Sequence, residues 1–430
     1  MRRPAGTPAV GRPPFGAVFS GDPAFAAAVF AAAFALRVVL AWRAGFFTAI
    51  EPDEMVKIAY SLAATGRFAD PYLIPTGPTA HTMPVYPLFL ALVFKTFGAG
   101  VAGESVKIVA ACAASALRCA LLPLFSRALR IPPRAGRIAA AISVFYVSAL
   151  QTEVRGSWDH PWLALGLMGL TWMTIRIWRS GSWRASLPWP YGAAWGLAIL
   201  SYASFIPLLV CLLIIGASAA ARQDRGRYVA AALATLVCAG IVVSPWALRN
   251  YRELGKPIVT RSNLGLELWL SNGPGAAFDV STNLGWRRPH PSTNREEAER
   301  VARMGEAAYN EEKLRAALAW MAGNPAEFAR LSLRRFAAWW FPPAPPAARR
   351  IFSAALTILA FAGLYRMFLS DRVGGSVLLA TWMSLPLIYY FIQWSTKYRF
   401  PMEWELVLTA SIAIDAAWDW ARNRRPFRPL

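Results

Sequence analysis

"AFAAAVFAAAFALRVVLAWRA" fills residues 24–44, and "GFFTAIEPDEMVKIAYSLAATG" follows directly at 45–66. The first stretch is almost unbroken apolar sequence, long enough to cross about 30 Å of hydrocarbon, which takes roughly 20 residues. The second places Glu51, Asp53 and Glu54 within four residues of one another at the edge of that span. One pair of stretches thus raises two questions: how many times the chain crosses a membrane, and what acids are doing at its rim.

Further apolar stretches fall at 104–126, 138–151, 161–178, 189–203, 204–221, 228–246, 350–368, 374–393 and 402–419. The 430 residues are 56% hydrophobic with 19 Trp, and the mean hydropathy is +0.36. A soluble protein could be this apolar only by burying an unusually large core. The pattern predicts an all-α, polytopic integral membrane protein of about ten transmembrane helices. Residues 189–221 have no polar break, so a tight turn is expected near Ser204.

A net charge of +21 raises the question of nucleic acid. Placement answers it. The arginines cluster in "RALRIPPRAGR", "RIWRSGSWR", "ARQDRGR", "YRMFLSDR" and the two termini, which are alternate connections if there are ten spans. Basic connections stay in the cytoplasm, so the charge sets topology and no nucleic-acid partner is expected. Arg349 and Arg350 fall on the other side as an exception.

The expected organisation follows. Residues 1–23 form a disordered basic cytoplasmic N-terminus, 24–246 an N-terminal membrane module with outer loop 45–103, and 247–349 an extracytoplasmic segment. Residues 350–419 are C-terminal spans and 420–430 a cytoplasmic tail. The opposite face receives 45–103, 247–349, "QTEVRGSWDHP" and "QWSTKYRFPMEWE". His81, His160 and His290 and most acids lie there. Cys112, Cys119, Cys211 and Cys238 sit inside apolar stretches without metal-ligand spacing, which favours buried packing. No nucleotide-binding glycine loop and no repeat of fixed period is visible.

The first outer loop reads as two short helices. "PDEMVKIAYSLAATG" has Pro52 at a first helical position, acids in the first turn and Gly66 as a stop. "PVYPLFLALVFKTFG" is apolar but too short for a comfortable span, so it is expected to lie in the interface. Acids in a first turn favour the helix dipole by about 0.3–1 kcal/mol each. Asp53 and Glu54 are therefore either an ordinary helix start or chemistry.

The run from Asp53-Glu54 through "YSLAATGRFADPYLIPTGPTAHTMPVYPLFLALVFKTFG" resembles the first extracytoplasmic loop of bacterial glycosyltransferase family 39. These proteins are related to protein O-mannosyltransferases and to lipid A aminoarabinose transferases. "SPWALRNYRELGKPIVTRSNLGLELWLSNGPGA", "YNEEKLRAALAWMAGNPAEFARLSLRRFAAWWFPP" and "KYRFPMEWELVL" are similar to family segments in the same order. The resemblance implies the GT-C membrane fold in a bacterial plasma membrane; the arginine pattern puts both termini in the cytoplasm and any active site outside. The resemblance also implies a polyprenyl-phosphate sugar donor and a lipid, glycan or protein acceptor.

In that family the acid after the first span is the proposed base, which falls here on Asp53 with Glu54 as neighbour. A positioned carboxylate taking the acceptor's proton contributes roughly 10²–10⁴-fold. Glu153 and Asp159 either hold acceptor or a metal, or are hydrated loop acids, with Arg155 a partner for Glu153. His160 could join a metal site; a divalent metal is neither required nor excluded. Lys397 and Arg399, then Arg249, could hold the donor phosphate or contact lipid headgroups. Arg37, inside the first span, could pair with the Glu51–Glu54 cluster or snorkel. Asn263, Asn272 and "NGPG" suggest a shaped turn.

The chain also departs from the family. "LSYASF", with Tyr202, stands where relatives carry arginine-proline, and "AHTMPVYP", with His81, where aminoarabinose transferases carry a lysine. A flippase of a lipid-linked glycan is the competing reading. It disfavours itself by placement, because transporters keep their polar groups at the midplane. A membrane acyltransferase would need a deep histidine, and none is placed so.

Overall fold

The computed structural model describes residues 23–48, 52–146, 153–181, 188–219, 224–284, 288–343 and 345–423. The expectations for residues 1–22, Glu51 and 424–430 lie outside them. The described residues form helices and turns, and the only β pairing among them is two isolated bridges.

Helix α1 (Pro23–Arg43) is apolar apart from Arg37 and the terminal Arg43, with 22% of its most hydrophobic window buried, as suits a helix facing lipid. The loop helices α2 (Glu54–Thr65) and α3 (Val85–Phe97) follow. Next come α4 (Val101–Ala128), 61% buried over its apolar window, and α5 (Pro133–Phe145). After them stand α6 (His160–Ser180), α7 (Pro188–Ser201), α8 (Phe205–Ala219) and α9 (Arg225–Leu254). Residues 202–204 break the helix between α7 and α8, where the turn near Ser204 was expected.

A cap of four helices covers one end of the bundle: α10 (Leu264–Ser271), α11 (Arg295–Met304), α12 (Glu306–Gly323) and α13 (Pro325–Trp340). The chain then returns through α14 (Ala347–Ser370), α15 (Arg372–Ser384) and α16 (Glu403–Asn423). Between the last two, short turns at Leu387–Tyr390, Thr396–Arg399 and Phe400–Met402 lie against the cap.

Among the described residues, five helical stretches are long and apolar enough to cross a membrane. They are α1, α4, α9, α14 and Arg372–Tyr390. The sequence expectation was about ten. The described parts of α5, α7 and α8 hold 13, 14 and 15 residues. At 1.5 Å per residue each covers only about 20 Å. Helices α6 and α16, at 21 residues each, are long enough but carry less apolar sequence than the five.

Backbones approach closely where side chains are small. "GAAWG" at 192–196 sets Gly192 and Gly196 one turn apart against α9. A Cβ at Gly192 would lie 2.6 Å from the Thr235 carbonyl oxygen, and one at Gly196 2.6 Å from Val242 Cβ. Small residues four apart allow this approach in membranes, where dispersion and not water exclusion holds helices together. Four fully buried tryptophans, Trp195, Trp339, Trp382 and Trp404, fill the wider gaps.

Helix α2 begins at Glu54, with Asp53 as the residue before it; Pro52 therefore precedes the helix instead of opening it. Gly66 ends it in the left-handed conformation, φ 73°. Met55, Val56 and Ala59 pack on Tyr86, Leu90 and Phe94 of α3. The loop between them is tied to the cap. Tyr72 joins a small core with Leu266, Leu270, Val301 and Tyr309. Glu306 accepts from Ala80 N at 2.8 Å, from Ser262 Oγ at 2.5 Å and from the Thr79 hydroxyl.

Candidate active site

A cavity of about 430 Å³ lies between α2, the 79–81 loop, the α7–α8 break, the cap and the 388–398 turns. Glu54, His81, Trp158, Arg261, Glu267, His290 and Lys397 line it, with Tyr202, Tyr389 and Tyr398 on one wall. Of the residues singled out from the sequence, Glu54, His81, Tyr202, Asn263 and Lys397 meet here. Asp53 lies one residue from the wall. His290, Arg261 and Glu267 complete the set.

Asp53 stands at the helix start but makes no side-chain capping bond, and its Oδ1 is buried without a hydrogen-bond partner. The Val56 amide of the first turn still eases its charge, as for an acid that opens a helix, and Oδ1 is the oxygen that this use leaves over. Burial and the neighbouring Glu54 charge push the Asp53 carboxyl up to about 8, against the pull of Lys397 and Lys107. A carboxyl in that range is a base matched to neutral pH.

Glu54 accepts from Ser292 Oγ at 2.5 Å. Its charge is opposed by burial, but His290, His81 and the Ser292 hydroxyl prevail and hold it below the ordinary carboxylate range. Burial pushes the His81 imidazole down to about 3 and that of His290 down as well. Glu54 and the two imidazoles therefore titrate as one cluster.

The ligand atoms of Glu54, His81 and His290 lie within 4.8 Å of one another. Two neutral imidazoles and a carboxylate are a donor set for zinc. The hydrogen bonds do not fit that use. The Ser292 backbone N–H donates to His290 Nδ1 at 3.0 Å. A backbone amide can only donate, so Nδ1 carries no proton and the neutral ring keeps its proton on Nε2. Ligating histidines present the reverse arrangement, with the second nitrogen donating outward. His81 is freer: its Nδ1 is 3.0 Å from the Tyr72 hydroxyl, which can donate or accept. As it stands, His290 does not present this set to a metal.

Lys397 places its ammonium 3.7 Å from the centre of the Trp158 ring and 5.4 Å from that of Tyr398. Burial lowers its pKa, while Glu54, Asp53 and Glu267 oppose the shift. Arg261 donates Nε to the His81 carbonyl at 2.8 Å and lines the same cavity. These two cations face a space large enough for a sugar phosphate.

The other candidates are placed elsewhere. Arg37 is fully buried and pairs with Glu153 at 2.5 Å, not with the first-loop acids. Glu153 takes Arg37, Arg118 and the Ser115 hydroxyl, so Arg155 is not its partner and neither oxygen is left for acceptor or metal. Breaking such a buried network costs about 3–5 kcal/mol. Arg249 donates to the carbonyls of Thr79 at 2.6 Å and Phe68 at 2.7 Å, which fastens the first loop. Arg399 is buried against Glu403 at 2.6 Å and the Trp339 and Trp340 carbonyls. Neither arginine lines the cavity; Arg249 is tied mainly to backbone, and Arg399 to Glu403 and backbone.

Asp159 and His160 lie behind Trp158, with Asp159 Oδ1 3.3 Å from His160 Nδ1, both buried. Asn263 lines the cavity and donates to Glu267 at 3.2 Å. Asn272 is buried and donates to the carbonyls of Leu268 and Phe391, a structural use.

No protein-family model and no curated protein matches this chain. Solved structures do. The oligosaccharyltransferase of Archaeoglobus fulgidus in its apo form aligns with a TM-score of 0.53 at 14% identity. The match covers 95% of this chain and 53% of that one. The same enzyme tethered to an acceptor peptide gives 0.53 and 14%, with 95% and 51% covered. The archaeal oligosaccharyltransferase AglB with an inhibitory peptide and a dolichol-phosphate gives 0.51 and 15%, with 95% and 53% covered. The chain spans about half the length of these structures, and at this identity the likeness shows the fold. That fold is the one seen in the archaeal oligosaccharyltransferase.

Proposed function

We propose that this protein is a membrane glycosyltransferase that moves a sugar from a polyprenyl-phosphate donor to an acceptor hydroxyl at the extracytoplasmic face. The observation that carries the reading is Asp53: a carboxylate with an unpartnered buried oxygen, beside a cavity that holds two cations. Lys397 and Arg261 hold the donor phosphate, whose charge would be expensive in a low-dielectric site without them. Asp53 takes the proton of the acceptor hydroxyl as its oxygen attacks the anomeric carbon. The carbon–phosphate oxygen bond breaks on the opposite face, so the product is inverted. The phosphate is already a good leaving group, and Lys397 stabilises the charge it gathers. Glu54 keeps the imidazole cluster in place and raises the basicity of Asp53.

The archaeal enzyme in complex with a dolichol-phosphate shares this fold, which is compatible with a lipid-phosphate donor here. The test is transfer by purified protein in lipid from a panel of radiolabelled polyprenyl-phosphate sugars, wild type beside Asp53→Asn. Wild-type turnover and a loss of roughly 10²–10⁴-fold in the variant are expected. Saturable donor binding without turnover would favour a flippase instead.

A further inference from the structure

A second pocket, of about 220 Å³, lies on the other side of the wall that bounds the cavity. Phe89 of α3, Trp162 and Gly166 of α6, and Phe205 of α8 line it, with Tyr86, Ser201 and Asp159 as its polar lining residues. Two short pieces of chain make the shared wall. Trp158 faces the cavity and the next residue, Asp159, the groove; Tyr202 faces the cavity, while Ser201 and Phe205 face the groove. The Tyr202 and Phe205 rings lie 5.4 Å apart across it.

The groove opens to the outside of the bundle. Trp162 and Gly166 are exposed. Val85, Leu88, Phe89 and Leu92 form an i, i+3, i+4, i+7 stripe on α3, with Leu88 52% and Leu92 65% exposed. Such a stripe beside membrane spans meets acyl chains. A Cβ at Gly166 would touch nothing within 4 Å. Glycine is the poorest helix former after proline, and no neighbouring element requires it there; its effect is to keep the groove open.

Charge separates the two pockets. Lys397 and Arg261 line the cavity, whereas no lysine, arginine or histidine lines the groove among the described residues. A buried carboxylate repels a lipid phosphate but accepts a hydroxyl proton. We propose, on the basis of the glycosyltransferase reading, that the groove binds the acceptor, and that the acceptor is a lipid with a neutral, hydroxyl-bearing head. Its hydrocarbon chain lies along Phe89, Trp162 and Phe205. Its head lies by Tyr86, a groove residue close enough to feel the charges of both Asp159 and Asp53, from where the hydroxyl passes the edge of the wall to the base. In the transfer the acceptor O–H proton passes to Asp53 and the acceptor oxygen bonds to the anomeric carbon. The anomeric C–O bond to phosphate breaks, and its electron pair leaves on polyprenyl phosphate.

The test uses full-length protein in phosphatidylglycerol liposomes with radiolabelled polyprenyl-phosphate mannose and glucose. Dioleoylglycerol and glucosyl-dioleoylglycerol are the lipid acceptors; methyl glucoside and a Ser/Thr peptide are the soluble ones. Gly166→Leu fills the groove. Gly169→Leu is the control, because its Cβ also meets nothing within 4 Å but it does not line the groove. Label is expected in a lipid acceptor. Gly166→Leu should raise the acceptor KM at least tenfold with the donor KM within twofold of wild type, and Gly169→Leu should change neither. Transfer to a soluble acceptor alone would overturn the proposal and leave the glycosyltransferase reading standing. So would a Gly166→Leu effect on the donor KM, or equal effects of the two variants. No consumption of any donor would remove both.

Discussion

The ammonium of Lys397 lies 3.7 Å from the centre of the Trp158 ring, although the two residues come from connections on opposite sides of the α6–α15 sequence. An aromatic face attracts a cation without neutralising it, by about 0.5–2 kcal/mol depending on desolvation. Lys397 is thus held in place yet makes no ion pair of 4 Å or less among the described residues. That is the state of a cation kept for a ligand. Lys397→Gln should raise the donor KM by tenfold or more, and Trp158→Leu by less, because the ammonium survives but loses its seat. Steady-state kinetics on the two variants check this ordering.

The same lysine sets a pH dependence. The base must be deprotonated to act, and Asp53 is pushed up to about 8. In wild type kcat/KM should therefore fall about tenfold per pH unit below that limb and level off above it. Lys397 pulls the Asp53 carboxyl down, so its removal should move the limb to higher pH. An unmoved limb in Lys397→Gln would separate the lysine from the base.

The imidazole cluster gives a third expectation. Because Ser292 N–H occupies His290 Nδ1, transfer after dialysis against EDTA should stay within about twofold of the untreated protein. A tenfold loss restored by zinc or manganese would show that the cluster changes tautomer around an ion.

Local features of the fold were legible in the sequence because they depend on neighbours in the chain. The stop at Gly66, the two short loop helices and the break near Ser204 are of this kind. Asp53 and Glu54 drew attention because they follow an apolar run. The partners were not legible, because charge and position alone do not say what a side chain meets. Arg249 and Arg399 looked like phosphate ligands; their guanidinium groups instead satisfy carbonyls of the first loop and of α13. Arg37 looked close to the first-loop acids, yet Glu153 from the second loop reaches it. His290 was visible only as an outer-side histidine. Its pairing with His81 comes from the cap folding over the first loop, through Tyr72 and Glu306.

That fastening supplies the last prediction. Glu306 is buried and accepts from Thr79, Ala80 and Ser262, so three donors on two segments converge on one carboxyl. Burial raises its pKa, and those hydrogen bonds with the nearby Arg249 charge oppose the rise. Glu306→Ala strands the donors, at about 1–3 kcal/mol for each group left unsatisfied. Glu306→Gln keeps an acceptor and should cost less. The first consequence falls on His81, which follows Ala80 directly. Glu306→Ala should therefore lower the melting temperature and expose the 66–84 loop to protease before the membrane helices unfold, with transfer falling in parallel. Equal protease resistance in wild type and Glu306→Ala would mean that the Arg249 bonds to Phe68 and Thr79 hold the loop by themselves.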